Sequence, residues 1–334
     1  MKAIVQDGYG SPDVLKLRDI AMPVVGDDGV LVRIRAASLN AADWHLMGRL
    51  PHLIGMLLRS SPGSVRGFDV AGTVETVGRK VTRFRPGDEV FGTGFGTCAE
   101  YVTTPEDRLA PKPRNLTFEQ AAAIPVAGFT ALQGLRDKAH VQPGQRVLIY
   151  GAGGGVGTFT VQIAKALGAH VTAVTSTRNL DLVRAIGADE VIDYTKADFT
   201  RSGQRYDVLF DIGANRSFAD CRRVLATNGT IVLAGAPKGL WAILSRLLKA
   251  QLLSRFGSQR ISSFLARGRY EDLVVLKDLV EAGKLSPVID RQYPLSEVPD
   301  AVRYIGTGDA RGKIVISIVS RHGEIATASP RLVS

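Results

Sequence analysis

The chain has 334 residues, is 45% hydrophobic and 22% charged, and carries a formal net charge of +10. That length exceeds one ordinary core and predicts two domains of an ordinary globular protein. Its two cysteines, Cys98 and Cys221, build neither a disulfide framework nor a zinc cluster, and no apolar run is long enough to span a bilayer.

The N-terminal MKAIVQDGYG lacks an apolar signal core, and together with the sparse cysteines this points to a reducing cytoplasm. Residues 1–124 read as β-rich. Lys2 to Gln6, Leu15 to Asp19, Gly29 to Ala37 and Asp69 to Val77 alternate apolar and polar positions and are separated by Gly/Pro/Asp turns. Short strands with such turns predict a partly open barrel. The apolar, cationic HLMGRLPHLIGMLLRSS, His45 to Ser61, interrupts them as a lid, a pocket wall or an inserted helix. From Phe118 the pattern turns helical, FEQAAAIPVAGFTALQGL, with breaks expected at Pro125 and Gly128.

Gln145 to Arg178 then reads as strand, glycine turn, helix and strand, the phosphate-binding entry to a dinucleotide fold. Five glycines between Gly151 and Gly157 let the backbone turn sharply, and the bare N-terminus of the following helix can hold a phosphate through N–H groups and its dipole. Expected strands at 145–150, 170–176, 190–194, 206–212 and 229–234 alternate with helices at 155–167, 179–186 and 217–225, the signature of a parallel doubly wound sheet. Leu240 to Leu265 is apolar and basic and predicts a helix, with a pocket wall, a subunit contact or a membrane surface as its uses. A helix from Glu271 to Ala282, a strand from Val288 to Tyr293, a helix at 296–305 and a strand at 313–319 follow, before a polar tail at 321–334. Leu240 to Arg269 carries six Lys or Arg and no acid, yet no RNA-binding signature accompanies it; a basic exterior attracting an anionic cofactor is the expectation, not nucleic acid.

GDEVFG at Gly87 to Gly92, AEYV at Ala99 to Val102, AAAIPVAGFTAL at Ala121 to Leu132, GAGGGVG, GADEVIDY at Gly187 to Tyr194 and GKIVI at Gly312 to Ile316 occur in one order. Together they resemble the medium-chain dehydrogenase/reductases, in particular their zinc-free, quinone oxidoreductase-like branch. The resemblance implies an α/β fold: a GroES-like barrel domain (1–124 and 266–320) and a Rossmann NADP-binding domain (125–265), with the active site in the cleft between them. Zinc relatives carry Cys near Asn40, Gly-His-Glu where this chain has Gly67-Phe68-Asp69, and a four-cysteine lobe that is absent around Gly92 to Cys98. His45 and His52 remain as candidate ligands, fewer than the roughly three that a catalytic zinc needs, so no metal is expected.

In the resemblance's register the glycine fingerprint reads Ala152-x-Gly154-x-x-Gly157, and Gly154, Gly155, Val156 and Gly157 are the expected pyrophosphate contacts. The position that is acidic in NAD-type sites is Ser176, followed by Thr177 and Arg178. Hydroxyls and a guanidinium suit a 2′-phosphate that a carboxylate would repel, so NADPH is the expected cofactor. Tyr194 resembles a tyrosine near that phosphate, and Thr130 and Gly235 resemble residues beside the nicotinamide. Asn40 and Asp43, in SLNAADWH, resemble an Asn-x-x-Asp pair at the reacting centre: Asn40 as a donor to substrate oxygen, Asp43 as an acid only if its pKa is raised, and otherwise a helix cap. Met47, Leu50, Leu53, Ile54, Leu57, Trp241 and Leu244 are candidate walls for a hydrophobic quinone or enone. The resemblance implies a homodimeric NADPH-dependent quinone or α,β-unsaturated carbonyl reductase. Reduction of an enoyl thioester or another carbonyl, and a non-enzymatic NADPH- and RNA-binding role, are the alternatives.

Overall fold

A computed structural model of the chain describes residues 1–47, 62–235, 240–254 and 258–318. Lys2–Gln6 (β1) and Leu15–Asp19 (β2) form an antiparallel pair. Gly29–Leu39 (β3) is buried along most of its 11 residues because apolar groups fall on both faces. Asp69–Val77 (β4) and Glu89–Thr93 (β5) extend the sheet from it, Tyr101–Pro105 (β6) also pairs with β3, and Leu109–Pro111 (β7) lies beyond β5. The chain then leaves this sheet through two short helices, Phe118–Ala122 and Pro125–Gln133.

Arg146–Tyr150 (β8), His170–Thr175 (β9), Glu190–Asp193 (β10), Tyr206–Asp211 (β11), Leu225–Leu233 (β12) and Arg260–Ser263 (β13) build a parallel sheet in the order β10-β9-β8-β11-β12-β13. Strand order reverses between β8 and β11, which opens a crevice at their carboxyl ends where such folds take ligands. Ile289–Pro294 (β14) and Lys313–Ser317 (β15) return to the first sheet, β15 pairing antiparallel with the second half of β3. The fold is therefore α/β, a GroES-like barrel unit joined to a Rossmann-like unit. Helix Gly155–Ala166 ties the two, because Gln162 donates to Ser286 O (3.0 Å) and accepts from Ser286 N (2.8 Å).

Two expectations need correction. The stretch Leu240 to Leu265 is not one helix: helix Leu240–Leu253 ends, and Arg260–Ser263 adds β13 to the sheet edge. Four residues pairing with one neighbour leave too little alternation to be read from sequence. Gly128 does not break its helix either. Pro125 starts that helix, where a missing N–H costs nothing, and Gly128 inside it makes room for Leu276, whose Cδ1 would lie 2.8 Å from an added Cβ. The tail 321–334 lies outside the described residues.

Gly157 is the tightest point of the glycine turn: a Cβ there would overlap Gly151 O and lie 2.6 Å from Ala152 C, whereas a Cβ on Gly154 would meet only Gly151 O at 3.7 Å. Gly157→Ala is expected to lower unfolding free energy by about 1–3 kcal/mol. Gly154→Ala should stay within about 0.5 kcal/mol of wild type. Urea unfolding compares the two, and equal losses would contradict the packing.

Candidate functional site

The carboxyl end of β8 runs into Gly151, whose φ of 93° only glycine adopts freely, and Gly154 then caps helix Gly155–Ala166 in extended conformation. The first turn of that helix holds no acid and its cap makes no side-chain hydrogen bond. The leading N–H groups of Gly155, Val156 and Gly157 have no partner one turn back, so they and the dipole are set for an anion. The buried Asn179 packs on this turn from behind, its Nδ2 2.5 Å from where a Gly153 Cβ would sit.

Beyond β9, the three residues expected at a 2′-phosphate are placed together but not all free. Ser176 begins the short turn Thr177–Asn179, with its hydroxyl 3.5 Å from Asn179 Nδ2. Thr177 donates to Asp193 (2.5 Å), and that contact, the largest cause, holds the Asp193 carboxyl below the usual carboxylate range. Arg178 reaches across to the barrel unit, pairing with Asp309 at 2.7 Å and donating to its carbonyl at 3.0 Å. Both partners of that pair are about half exposed, and an ion pair so open to water contributes little. Arg311, unremarked in the sequence, stands alongside and donates to Asn179 Oδ1 (2.9 Å) and to Arg178 O. Tyr194 is exposed and meets Tyr150 edge-on, with ring centroids 6.3 Å apart.

Thr130 lies in helix Pro125–Gln133, and Gly235 lies just beyond β12. The Thr130 hydroxyl donates to Val126 O (2.8 Å) within its own helix. Gly235 N donates to Asp211 O (3.0 Å), and a side chain there would overlap Ile212 O.

Next to the glycine turn sits a buried polar cluster whose centre the sequence reading passed over. Lys313, the first residue of β15, is 2% exposed and donates to Leu39 O (3.1 Å), Asn40 Oδ1 (2.6 Å) and Asp69 Oδ2 (3.2 Å). Asp69 is fully buried; its Oδ2 also accepts from Ser38 Oγ (2.7 Å) and Asn40 Nδ2 (2.9 Å), and its Oδ1 from Val126 N (2.9 Å). The lysine stem touches the cradle itself, since an added Cβ on Gly155 would lie 3.2 Å from Lys313 Cδ. A lysine opening a strand reads as a surface residue, and the available signal was only its place in GKIVI beside an apolar run.

Asp43 caps helix Ala41–His45 by accepting from Asn40 N (2.8 Å). It is 1% exposed, and burial, the largest cause, pushes its carboxyl above the usual range despite the Arg66 guanidinium 3.9 Å away. Phe68 stands where zinc relatives carry histidine and packs edge-on against Phe95, centroids 5.8 Å apart. Among the described residues no three His, Cys, Asp or Glu converge as a metal would require. His45 ends its helix, and His52 lies outside the described residues. Of the expected cleft walls, Met47 is instead buried in the barrel core, 2% exposed, and Leu244 is exposed on helix Leu240–Leu253. Leu50, Leu53, Ile54, Leu57 and the Trp241 side chain lie outside the described residues.

Two family models match: an alcohol dehydrogenase GroES-like domain over residues 26–114 and a zinc-binding dehydrogenase domain over residues 186–316. The chain is 37% identical to a 2-methylene-furan-3-one reductase of Solanum lycopersicum, across 95% of this chain and 79% of that protein. It is 34% identical, over the same shares, to a chloroplastic NADPH-dependent alkenal/one oxidoreductase of Arabidopsis thaliana. Among solved structures, the quinone oxidoreductase from Coxiella burnetii superposes with a TM-score of 0.85 at 33% identity, covering 96% of this chain and 99% of that one.

The buried Asp43 makes a pH prediction. A carboxyl whose folded pKa lies above its unfolded value adds stability below the unfolded pKa and loses it as pH rises through the folded one. Asp43→Asn, which stays neutral, should therefore gain stability relative to wild type from about pH 4 upward. Urea unfolding of both proteins across pH reads the difference; a difference that shrinks with rising pH would contradict the assignment.

Proposed function

The chain belongs to the medium-chain dehydrogenase/reductases, and we propose that it transfers hydride from NADPH to a quinone or an α,β-unsaturated carbonyl without zinc. One observation carries the reading: a fixed polar cluster of Asn40, Asp69 and Lys313 lies against the phosphate-binding turn, with Asn40 and Phe68 at the positions where the resemblance puts a thiolate and an imidazole ligand of zinc relatives. These residues do not fit a metal. Asn40 and Phe68 replace a thiolate and an imidazole, and the Lys313 ammonium beside them would repel a second cation.

The residues present do fit NADPH. Gly154, Gly155, Val156 and Gly157 would hold the pyrophosphate on backbone N–H groups. Ser176, Thr177, Arg178 and Tyr194 would surround the 2′-phosphate, and Thr130 and Gly235 would border the nicotinamide. When bound, the cofactor supplies a hydride from its nicotinamide C4. Acceptors whose product anion is delocalised need only positioning and a hydrogen bond to the developing oxyanion, which Asn40 Nδ2 would give. Asp43 is kept by its buried cap as a structural group, and the proton comes from solvent.

The barrel unit, residues 1–124 with 266–320, would supply the acceptor side, and residues 125–265 the cofactor side. No helix among the described residues is long and apolar enough to cross a membrane. The unpaired, buried thiols of Cys98 and Cys221 suit the cytoplasm. A homodimer is supported by the edge position of β13 and by Leu244, Leu248 and Leu252, exposed along one face of the neighbouring helix. Nucleic acid is a poorer partner, because Arg246 of the basic segment turns inward to the buried Asp211.

The test is NADPH oxidation with a panel of quinones, enones and an enoyl thioester, run with and without a chelator. Turnover of quinones or enones, unchanged by the chelator, is expected. Arg178→Ala should raise the NADPH dissociation constant about tenfold and leave that for NADH unchanged. Chelator-sensitive turnover, equal affinity for both cofactors in wild type, or no turnover together with salt-sensitive RNA binding would each contradict the reading.

A further inference from the structure

The amide of Asn40 is oriented without ambiguity. An ammonium only donates, so the atom 2.6 Å from Lys313 Nζ is Oδ1; a carboxylate only accepts, so the atom 2.9 Å from Asp69 Oδ2 is Nδ2. One Nδ2 hydrogen is thereby used and one remains. Lys313 has three acceptors for three hydrogens, so the ammonium cannot turn to a bound molecule without losing one of them. Asp69 and Lys313 are buried, whereas Asn40 keeps partial exposure.

We infer that Lys313 is a positioning residue that turns Asn40 into a polarised, one-way hydrogen-bond donor for the oxyanion of the acceptor. A positive charge on an amide oxygen draws electron density from its nitrogen and strengthens the remaining N–H as a donor, in the way that chained hydrogen bonds reinforce one another. Asp69 fixes the plane of the amide and offsets the buried charge. Substrate oxygen thus meets a cation one amide removed, where zinc relatives present the cation directly. This inference rests on the proposed reaction for the identity of that oxygen.

The probe is 4-nitrophenol, whose phenolate imitates the developing oxyanion and is followed by its visible absorbance on the full chain loaded with NADP⁺. Lys313→Met alone strands a buried carboxylate, so it is combined with Asp69→Asn, which removes both charges together. Phenolate affinity should fall about tenfold in Asn40→Ala, and about tenfold in the Lys313→Met/Asp69→Asn protein. With all three substitutions it should fall no further, because both routes act through the one Asn40 hydrogen bond. NADPH affinity should hold in every variant, and kcat on a turned-over enone should follow the phenolate.

Losses that multiply, or a wild type that binds phenolate no better than Asn40→Ala, would overturn the inference. Should the charge-neutral pair fail to fold, Asn40→Asp tests the donor on which the inference depends. It keeps an oxygen on Lys313 but has no N–H, so phenolate affinity must fall, and an unchanged value overturns the proposal. Coupled phenolate losses in an enzyme inert towards every quinone and enone would sink the proposed reaction and leave the donor standing. Turnover with multiplying losses would sink the donor alone.

Discussion

The buried pair of Lys313 and Asp69 is the constraint on which the site depends. Moving two ions out of water costs several kcal/mol each, and their attraction repays this only when geometry is good and the remaining polar atoms are satisfied. Here every lysine hydrogen has an acceptor, and the aspartate takes bonds from Ser38, Asn40, Lys313 and Val126. Those partners come from the two central strands of the barrel, from the helix that leaves it and from the strand that returns at the end of the chain. The cluster therefore fixes chain crossing, sheet closure and amide orientation at one point.

That point is also where the cofactor cradle ends. Gly155 packs on the lysine stem and on Gly312 O, which would lie 3.3 Å from an added Cβ, so the pyrophosphate-binding turn and the polar cluster share a wall. A site assembled this way gains electrostatic focus from burial and needs little rearrangement when charge develops. The far end is looser. Arg178 is engaged by Asp309 of the other unit through an exposed pair, and Arg311 braces the same corner. The proposed binding of a 2′-phosphate there would exchange one partner of Arg178 for another.

What sequence carried and what it did not follows from the range of each interaction. The glycine turn, its helix and its flanking strands are local, and their periodicity and turn chemistry were legible from β8 to β9. The return of β14 and β15 to the barrel was not readable from spacing and entered through resemblance alone. Asn40 and Asp43 stood out as a motif, but Lys313, more than 270 residues away, meets Asn40 only in the folded chain. The same holds for Arg178 and Asp309, |i−j| = 131 apart. Met47 looked like a pocket residue because an apolar stretch has no label for inside or outside, and packing against the barrel strands decided it. The strand β13 was hidden by its four-residue length within an apolar, basic stretch that also suits a helix.

In the proposed reaction these parts would serve one event, delivery of hydride onto an acceptor whose oxygen Asn40 holds. The direct measurement uses NADPH deuterated at nicotinamide C4 in each of its two stereochemical forms, with an enone that is turned over, and locates the label in the product. The account predicts deuterium at the β-carbon from one form only, with the α-hydrogen taken from solvent. Label absent from the β-carbon, or delivered equally from both forms, would contradict it.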